Sequence, residues 1–315
     1  MFLSFDMKIK SYEKGDKNAL KELYGLWSEV AKERPIECDK DIQGFENSKL
    51  KSESGKVQCF MAFEDSELKG ASILKLRPKD ANPYLNFLIP KESLESEMTE
   101  ELLRKSLELC KQESESEVVL SPNIYPQEFI NFFKERRFEK QEEYPTGLWM
   151  KKPLEDPSEV QVHEGIDIFS VDKLGDTVSA RDLAEVQVDY ANPNYELEDI
   201  IDDFEKLDRE QDEISYSIAK LEETGEVFGY SRTIFIDLVR GDSIAKNAGL
   251  VVKEEHREKG IGGALLVDSF HRVKKRGYER MYISTLSNNP AQKLYKRLGF
   301  EVESEFPNLS YQISE

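Results

Sequence analysis

Lys253-Glu254-Glu255-His256-Arg257-Glu258-Lys259-Gly260-Ile261-Gly262-Gly263 is the stretch whose reading decides the fold. Leu250, Val251 and Val252 lead into it as a strand. Ala264, Leu265, Leu266, Val267, Phe270 and Val273 follow at helical spacing, and Gly277 ends that helix after Lys274, Lys275 and Arg276. A glycine-rich turn opening a helix presents unpaired backbone N–H groups at the positive end of the helix dipole. Such a turn is an anion cradle, and phosphate is its common guest.

Spacing separates the phosphate motifs. A Walker loop needs a Lys followed by a hydroxyl after its last glycine, and neither is present. A dinucleotide turn needs Gly-x-Gly-x-x-Gly, whereas the glycines here fall at Gly260, Gly262 and Gly263. What fits is Arg257-x-x-Gly260-x-Gly262 directly after a strand. A second pattern follows one strand (Met281 to Thr285) later: Asn288, Ala291, Leu294, Tyr295, Gly299 and Phe300, spaced as Asn-x-x-Ala-x-x-Leu-Tyr-x-x-x-Gly-Phe. In both motifs, and in their order, the second half of the chain resembles the GNAT (GCN5-related) N-acetyltransferases.

That resemblance implies an α/β fold with a mixed sheet, and transfer of acetyl from acetyl-CoA to a primary amine by direct attack. It implies cofactor contacts from the strand Leu250, Val251 and Val252, from the loop Arg257, Glu258, Lys259, Gly260, Ile261, Gly262 and Gly263, and from Asn288. Tyr295 would be the catalytic acid that protonates the departing thiolate, a role suited to a phenol of pKa near ~10. Taken without the motif, Tyr295 reads as an aromatic packed at helical spacing with Leu294 and Leu298. Many relatives place a basic Glu on the strand before the loop, but Ile244 to Val252 holds no carboxylate. His256 and His271 read as surface residues. Water relayed through Ser284 or Thr285, or a carboxylate such as Asp237, stays open as the base.

The 315 residues suffice for two domains of ordinary size, and 38% hydrophobic with 34% charged residues suits a soluble globular chain. No apolar run approaches the ~20 residues of a membrane helix. The first residues are too short and too soon acidic for a signal peptide. Cys38, Cys59 and Cys110 are too scattered for a disulfide framework or zinc site, so no metal is expected and a reducing cytoplasm fits. The net charge of −19 makes nucleic acid and anionic membranes poor partners. Locally the sign reverses: Lys246 to Arg280 holds nine Lys/Arg against five Asp/Glu. A phosphate-binding loop accounts for that reversal, as does a solvated helix end.

Read in order, the first half gives a strand (Met7–Tyr12), two helices (Lys14–Lys32, Asp39–Leu50) and a hairpin (Val57–Phe63, Leu68–Leu76). Then come a strand (Tyr84–Ile89), a helix (Met98–Lys111), a strand (Val118–Leu120), a helix (Pro126–Arg136) and a closing hairpin (Phe138–Met150). Beyond a linker, Lys152–Ser158, the second half repeats this order. It runs through a strand (Ile166–Val171), helices (Thr177–Tyr190, Tyr195–Arg209) and a hairpin (Ile214–Leu221, Val227–Val239) to the motif region, with Ser310–Ile313 closing its sheet. Phe133-Lys134-Glu135-Arg136-Arg137-Phe138-Glu139 aligns with Tyr295-Lys296-Arg297-Leu298-Gly299-Phe300-Glu301. Two tandem GNAT-like domains are expected, residues 1–152 and 160–315. The period is too long for a solenoid repeat.

The copies differ where chemistry would occur. Arg257, Gly260 and Gly262 become Leu94, Glu97 and Thr99, surrounded by Glu92, Glu95, Glu100 and Glu101, and Tyr295 becomes Phe133. Carboxylates repel a pyrophosphate, and a loop without glycine keeps its backbone away. The first domain is therefore expected not to bind acyl-CoA. One active half beside one degenerate half resembles the architecture of mycothiol synthase, without carrying over its substrate. The acceptor, a small amine or peptide amine, has one clue: Tyr195 to Glu213 holds ten Asp/Glu against two Lys/Arg. Such a wall would steer a cationic amine, and a solvated helix face gives the same composition. A non-catalytic acyl-CoA-binding or protein-interaction module remains the alternative function, and a homodimer stays open.

Overall fold

The computed structural model describes residues 7–32, 41–51, 56–76, 82–113, 115–120, 126–142, 144–154, 164–175, 177–188, 196–210, 213–238 and 241–313. Cys38, Asp39 and Lys40, the linker from Glu155 to Ser158, Tyr190, Tyr195, Asp212 and Val239 lie outside the described residues.

The first half runs β1 (Lys8–Ser11), α1 (Lys17–Ala31), α2 (Ile42–Phe45), β2 (Val57–Glu64), β3 (Glu67–Lys75), β4 (Tyr84–Leu88), α3 (Glu97–Gln112), β5 (Glu117–Leu120), α4 (Gln127–Glu135), β6 (Glu139–Lys140) and β7 (Gly147–Pro153). The second half runs β8 (Ile166–Val171), α5 (Ala180–Gln187), α6 (Leu197–Glu210), β9 (Ile214–Leu221), β10 (Val227–Asp237), β11 (Ser243–Val252), α7 (Ile261–Lys275), β12 (Arg280–Leu286), α8 (Gln292–Arg297), β13 (Glu301–Phe306) and β14 (Leu309–Gln312). The α+β architecture and the tandem arrangement agree with the sequence reading.

Local chemistry explains the elements. Asp16 caps α1 through bonds from the Asn18 and Ala19 amides, both 3.0 Å, and Leu23, Leu26, Trp27 and Val30 give that helix one buried face. Asp65 and Ser66 both adopt positive φ, the conformation that lets β2 turn tightly into β3. In α5, Ser179 and Asp182 form a capping box.

Each sheet has seven strands, in the orders β1-β2-β3-β4-β5-β14-β6 and β13-β7-β12-β11-β10-β9-β8. In each sheet one strand next to an edge, β14 in the first and β7 in the second, comes from the other half of the sequence. Two expectations are corrected here. Ser310–Gln312 closes the first sheet, with Ser310 opposite Val119, and not the second. The end of the first half forms no hairpin: β6 pairs with β14, while β7 enters the second sheet beside β12. The two compact units are accordingly discontinuous. One comprises Met1–Gly147, Leu238–Asp242 and Glu305–Glu315, the other Leu148–Asp237 and Ser243–Ser304.

Both faces of each sheet are covered. In the first, Leu23, Trp27 and Phe45 pack with Met61 and Ile73, while Leu102, Phe129 and Phe133 pack with Leu74 and Phe87. In the second, Leu183, Ile200 and Phe204 cover Tyr216, Ile218 and Tyr230, while Leu266, Phe270 and Val273 cover Ala245, Met281 and Ile283. Among the described residues no helix is long and apolar enough to cross a membrane.

Candidate active site

The site begins with a strand that loses its neighbour. β11 and β12 are parallel and paired at Ala245–Met281, Lys246–Tyr282 and Asn247–Ile283. Beyond Asn247, β11 continues to Val252 without β12 beside it. The register of β10 on β11 shifts between Arg232 and Thr233, so Ala248 is a bulged extra residue where the strands part. Asn247 is buried and holds the bulge from one side: its amide donates to the Ser231 hydroxyl (2.8 Å) and to the Arg232 (3.1 Å) and Gly249 (3.3 Å) carbonyls. Ser269 on α7 joins the same network through Ser231 (2.9 Å) and Ser217 (3.0 Å). Arg232 holds the bulge from the opposite side, donating to the Ala248 carbonyl at 3.0 Å.

A cleft of about 460 Å³ opens beside the parted strand. Leu250, Val251, Val252, Arg257, Glu258, Gly260, Ile261, Gly262, Gly263 and Tyr295 line it, ten of the twelve site residues expected from sequence. Lys259 and Asn288 are not in the lining. Lys259 bonds the Glu255 carbonyl at 2.8 Å and Asn288 is exposed, with its neighbour Asn289 facing the cleft instead. His256, Ala291, Leu294 and Arg297 also line the cleft. Ala291 and Leu294 stood in the second motif; His256 and Arg297 carried no readable signal beyond their basic neighbourhood.

The loop has the form of an anion cradle. Glu258 (φ 60°) and Gly260 (φ 80°) are both left-handed, and α7 begins at Ile261 without a side-chain cap. Alternating hands in successive residues turn backbone N–H groups toward one point. Arg257 is tied back by a 3.1 Å bond from Nε to the Val252 carbonyl. A methyl group on Gly262 would lie 3.4 Å from Leu294 Cδ2 and 3.8 Å from Leu250 Cδ2, ordinary contact distances. Packing therefore tolerates a side chain there; the glycine keeps the cleft wall clear for a ligand. These features fit a pyrophosphate-bearing ligand.

Tyr295 is 6% exposed, its ring edge-on to Phe300 at 6.0 Å. Burial raises its pKa above the ordinary tyrosine value. His256 stacks on Phe228 with centroids 4.2 Å apart. His271 is exposed. Asp237 pairs in register with Ser243, at the other end of β11 from the split.

The matching place in the first unit is built differently. Ser96 caps α3 by accepting from the Thr99 amide (3.4 Å), and Thr99 is buried with its hydroxyl on the Ser93 carbonyl (2.7 Å). Arg136 bridges Glu95 (2.9 Å) and Glu100, and its guanidinium lies 3.5 Å from the Phe132 ring centroid. Phe133, at the position of Tyr295, is wholly buried.

Residues 180–300 match the acetyltransferase (GNAT) family. That match places a GNAT domain at residues 180–300. Similar solved structures include a tandem GNAT protein from the clavulanic acid biosynthesis pathway (TM-score 0.74, 14% identity, 98% of this chain and 99% of that one). A GCN5-related N-acetyltransferase from Sphaerobacter thermophilus is similar at TM-score 0.65 and 16% identity, over 98% and 96% of the chains. A GNAT-family acetyltransferase from Colwellia psychrerythraea is similar at 0.61 and 15%, over 97% and 100%. At these identities the likeness is one of fold, and it extends the tandem GNAT fold over the whole chain. No curated protein matches this sequence.

Proposed function

We propose that the chain is an acetyl-CoA-dependent N-acetyltransferase acting on an amine through its second domain. The observation that carries this reading is one cleft lined by the uncapped start of α7, the end of β11 beyond its pairing with β12, and a buried tyrosine. Bound acetyl-CoA supplies an activated acyl group on a thiolate leaving group. The backbone N–H groups from Glu258 to Gly263 hold its pyrophosphate, and Arg257 adds positive charge at the loop. The peptide groups of Leu250 and Val251, beyond the last pairing of β11 with β12, bond the pantetheine arm as a strand would, and Val252 lines the same cleft. Tyr295, kept protonated by burial, donates its proton to the leaving sulfur. The attacking amine must lose a proton, and Ser243–Val252 carries no carboxylate to take it, so that proton leaves through water. Asn288, exposed next to the cleft-lining Asn289, is assigned a contact with the same arm. The first domain, with its loop closed by Ser96 and Arg136, binds no acyl-CoA. Its buried thiols suit a reducing cytoplasm.

Calorimetry with acetyl-CoA tests this, on the wild type and on Gly260→Glu/Gly262→Thr, which places the first domain's residues in the second. One site per chain, abolished by the exchange, is expected. Two sites would overturn the assignment of the first domain. No binding would overturn the transferase reading, and binding without turnover of any amine would leave a non-catalytic acyl-CoA-binding module.

A further inference from the structure

Arg232 is the unusual residue of the second sheet. It stands on β10 opposite Gly249, one residue from the bulge at Ala248, where the strands part. It faces α6, away from α7, with its guanidinium 5.5 Å from the Phe204 ring. One terminal nitrogen serves the Ala248 carbonyl, while the buried Nε has no hydrogen-bond partner among the described residues. Its register partner on β9, Tyr216, is also fully buried with an unpartnered hydroxyl. A buried donor left unbonded is costly, and two adjacent ones need an explanation.

The charges around it sharpen the point. In a chain of net charge −19, Arg232 makes no ion pair with any described carboxylate. The acidic residues of α6 (Glu198, Asp199, Asp202, Asp203, Glu205) are exposed on its outer side. Asp208, half-buried, accepts from the Leu174 amide at 3.2 Å. Gln187 of α5 is engaged by the Tyr230 hydroxyl. On β11, Lys246 shares the face of Arg232, since it pairs with Ile234, and lies 5.5 Å from the Trp149 ring. This face of the split is therefore lined by cations inside and rimmed by carboxylates outside.

With acetyl-CoA held from the α7 side, the opposite face of the sheet, which is the Arg232 face, is left for an acceptor. We infer that the acceptor is an amino carboxylate, its carboxylate received by Arg232. A guanidinium offers two parallel donors to a carboxylate, a geometry that lysine lacks. Arg232 stands on β10, one strand from the split between β11 and β12, and neighbouring strands lie about 4.8 Å apart, so a carboxylate at Arg232 and an amine over the split fit within one small molecule, an amino acid. The outer acidic rim then draws the ammonium end. This inference rests on the transferase reading and names its substrate class.

The test compares each of the twenty common amino acids with its own α-carboxamide, at fixed acetyl-CoA, following thiol release and the acetylated product by mass. The wild type is expected to acetylate at least one amino acid with a kcat/KM about ten- to a hundredfold above its amide, the difference lying in KM, as a charge-assisted bond predicts. Arg232→Gln should bring the ratio toward one, and Arg232→Lys should restore part of it. The ratio isolates the carboxylate contact, because loosening the bulge would affect both members of a pair. A wild-type ratio near one, a ratio that survives Arg232→Gln, or no acetylated amino acid in a protein that binds acetyl-CoA each overturn the inference. Failure to bind acetyl-CoA overturns the transferase reading and this inference with it.

Discussion

Gly262→Ala should make the protein more stable and a worse binder of acetyl-CoA. Gly262 is the second residue of α7, and an added methyl meets only Leu294 at 3.4 Å and Leu250 at 3.8 Å. Replacing a strain-free helical glycine by alanine contributes about 0.4–1 kcal/mol, chiefly by restricting the unfolded chain. For a unit of this size that raises Tm by about 1–4 °C. The same methyl stands on the cleft wall and keeps an anion from the α7 amides. Losing one charge-assisted bond costs about 1.5–3 kcal/mol, or about ten- to a hundredfold in Kd. Gly260→Ala is the contrast. At φ 80° a Cβ costs about 1–2 kcal/mol, so this variant should lose stability as well as affinity. Differential scanning calorimetry and titration calorimetry read the two quantities separately. A Gly262→Ala protein with unchanged acetyl-CoA affinity would refute the argument that this glycine exists for the ligand.

Tyr295→Phe should leave acetyl-CoA affinity within about twofold and lower kcat by about a hundredfold or more, as removal of a general acid does; a kcat within threefold of wild type would remove Tyr295 from the mechanism. Burial raises the Tyr295 pKa, so the protonated form persists through the ordinary tyrosine range and is lost only as pH climbs past the raised value. The alkaline limb of kcat should therefore lie above about 10, and an earlier limb assigned to Tyr295 by its loss in Tyr295→Phe would contradict the burial. Burial also raises the thiol pKa values of Cys59, strongly, and of Cys110, to about 12. Neither should be alkylated by iodoacetamide in the native protein and both should be in denaturant, as peptide mass mapping would show.

The elements and the cleft were largely legible in sequence because each is a local statement. Helical spacing from Ala264 to Val273 and the turn residues Asp65 and Ser66 act within a few positions of themselves. Gly260 and Gly262 stood out in sequence as the glycines of one short loop, and the structure adds a left-handed backbone at the first and ordinary packing room at the second. What was not legible is non-local. The apolar run Leu148–Met150 and the alternation in Leu309–Tyr311 mark strands, but nothing in either names the partner strand. Arg232 was equally silent. One arginine in a β-rich run is unremarkable until the fold sets it beside the bulge with Nε unbonded.

Comparison of the two sheets shows how a duplicated fold separates scaffold from site. The deep polar contacts persist: Ser72 and Ser106 meet at 2.9 Å between β3 and α3, as Ser231 and Ser269 meet at 2.9 Å between β10 and α7. Ser106 and Ser269 each donate to the carbonyl four residues earlier, Leu102 and Leu265, at 2.9 Å. Buried hydroxyls so arranged are costly to change one at a time, because each loss orphans its partner. Most of the working parts are not shared. β3 and β4 pair from Ala71–Leu88 to Lys75–Tyr84 without a register shift, so the first sheet has no bulge to match Ala248. The first copy keeps a strand end beyond its parallel neighbour, since β4 runs to Leu88 but pairs with β5 only at Tyr84–Val119 and Leu85–Leu120. Among the described residues it lacks the bulge, the uncapped helix start and the tyrosine that the second would use. Reopening it would need several coordinated changes. Arg136→Ala alone should therefore create no second acetyl-CoA site, and a second site appearing in that variant would show that ion pairing, not backbone geometry, is what closes the first copy.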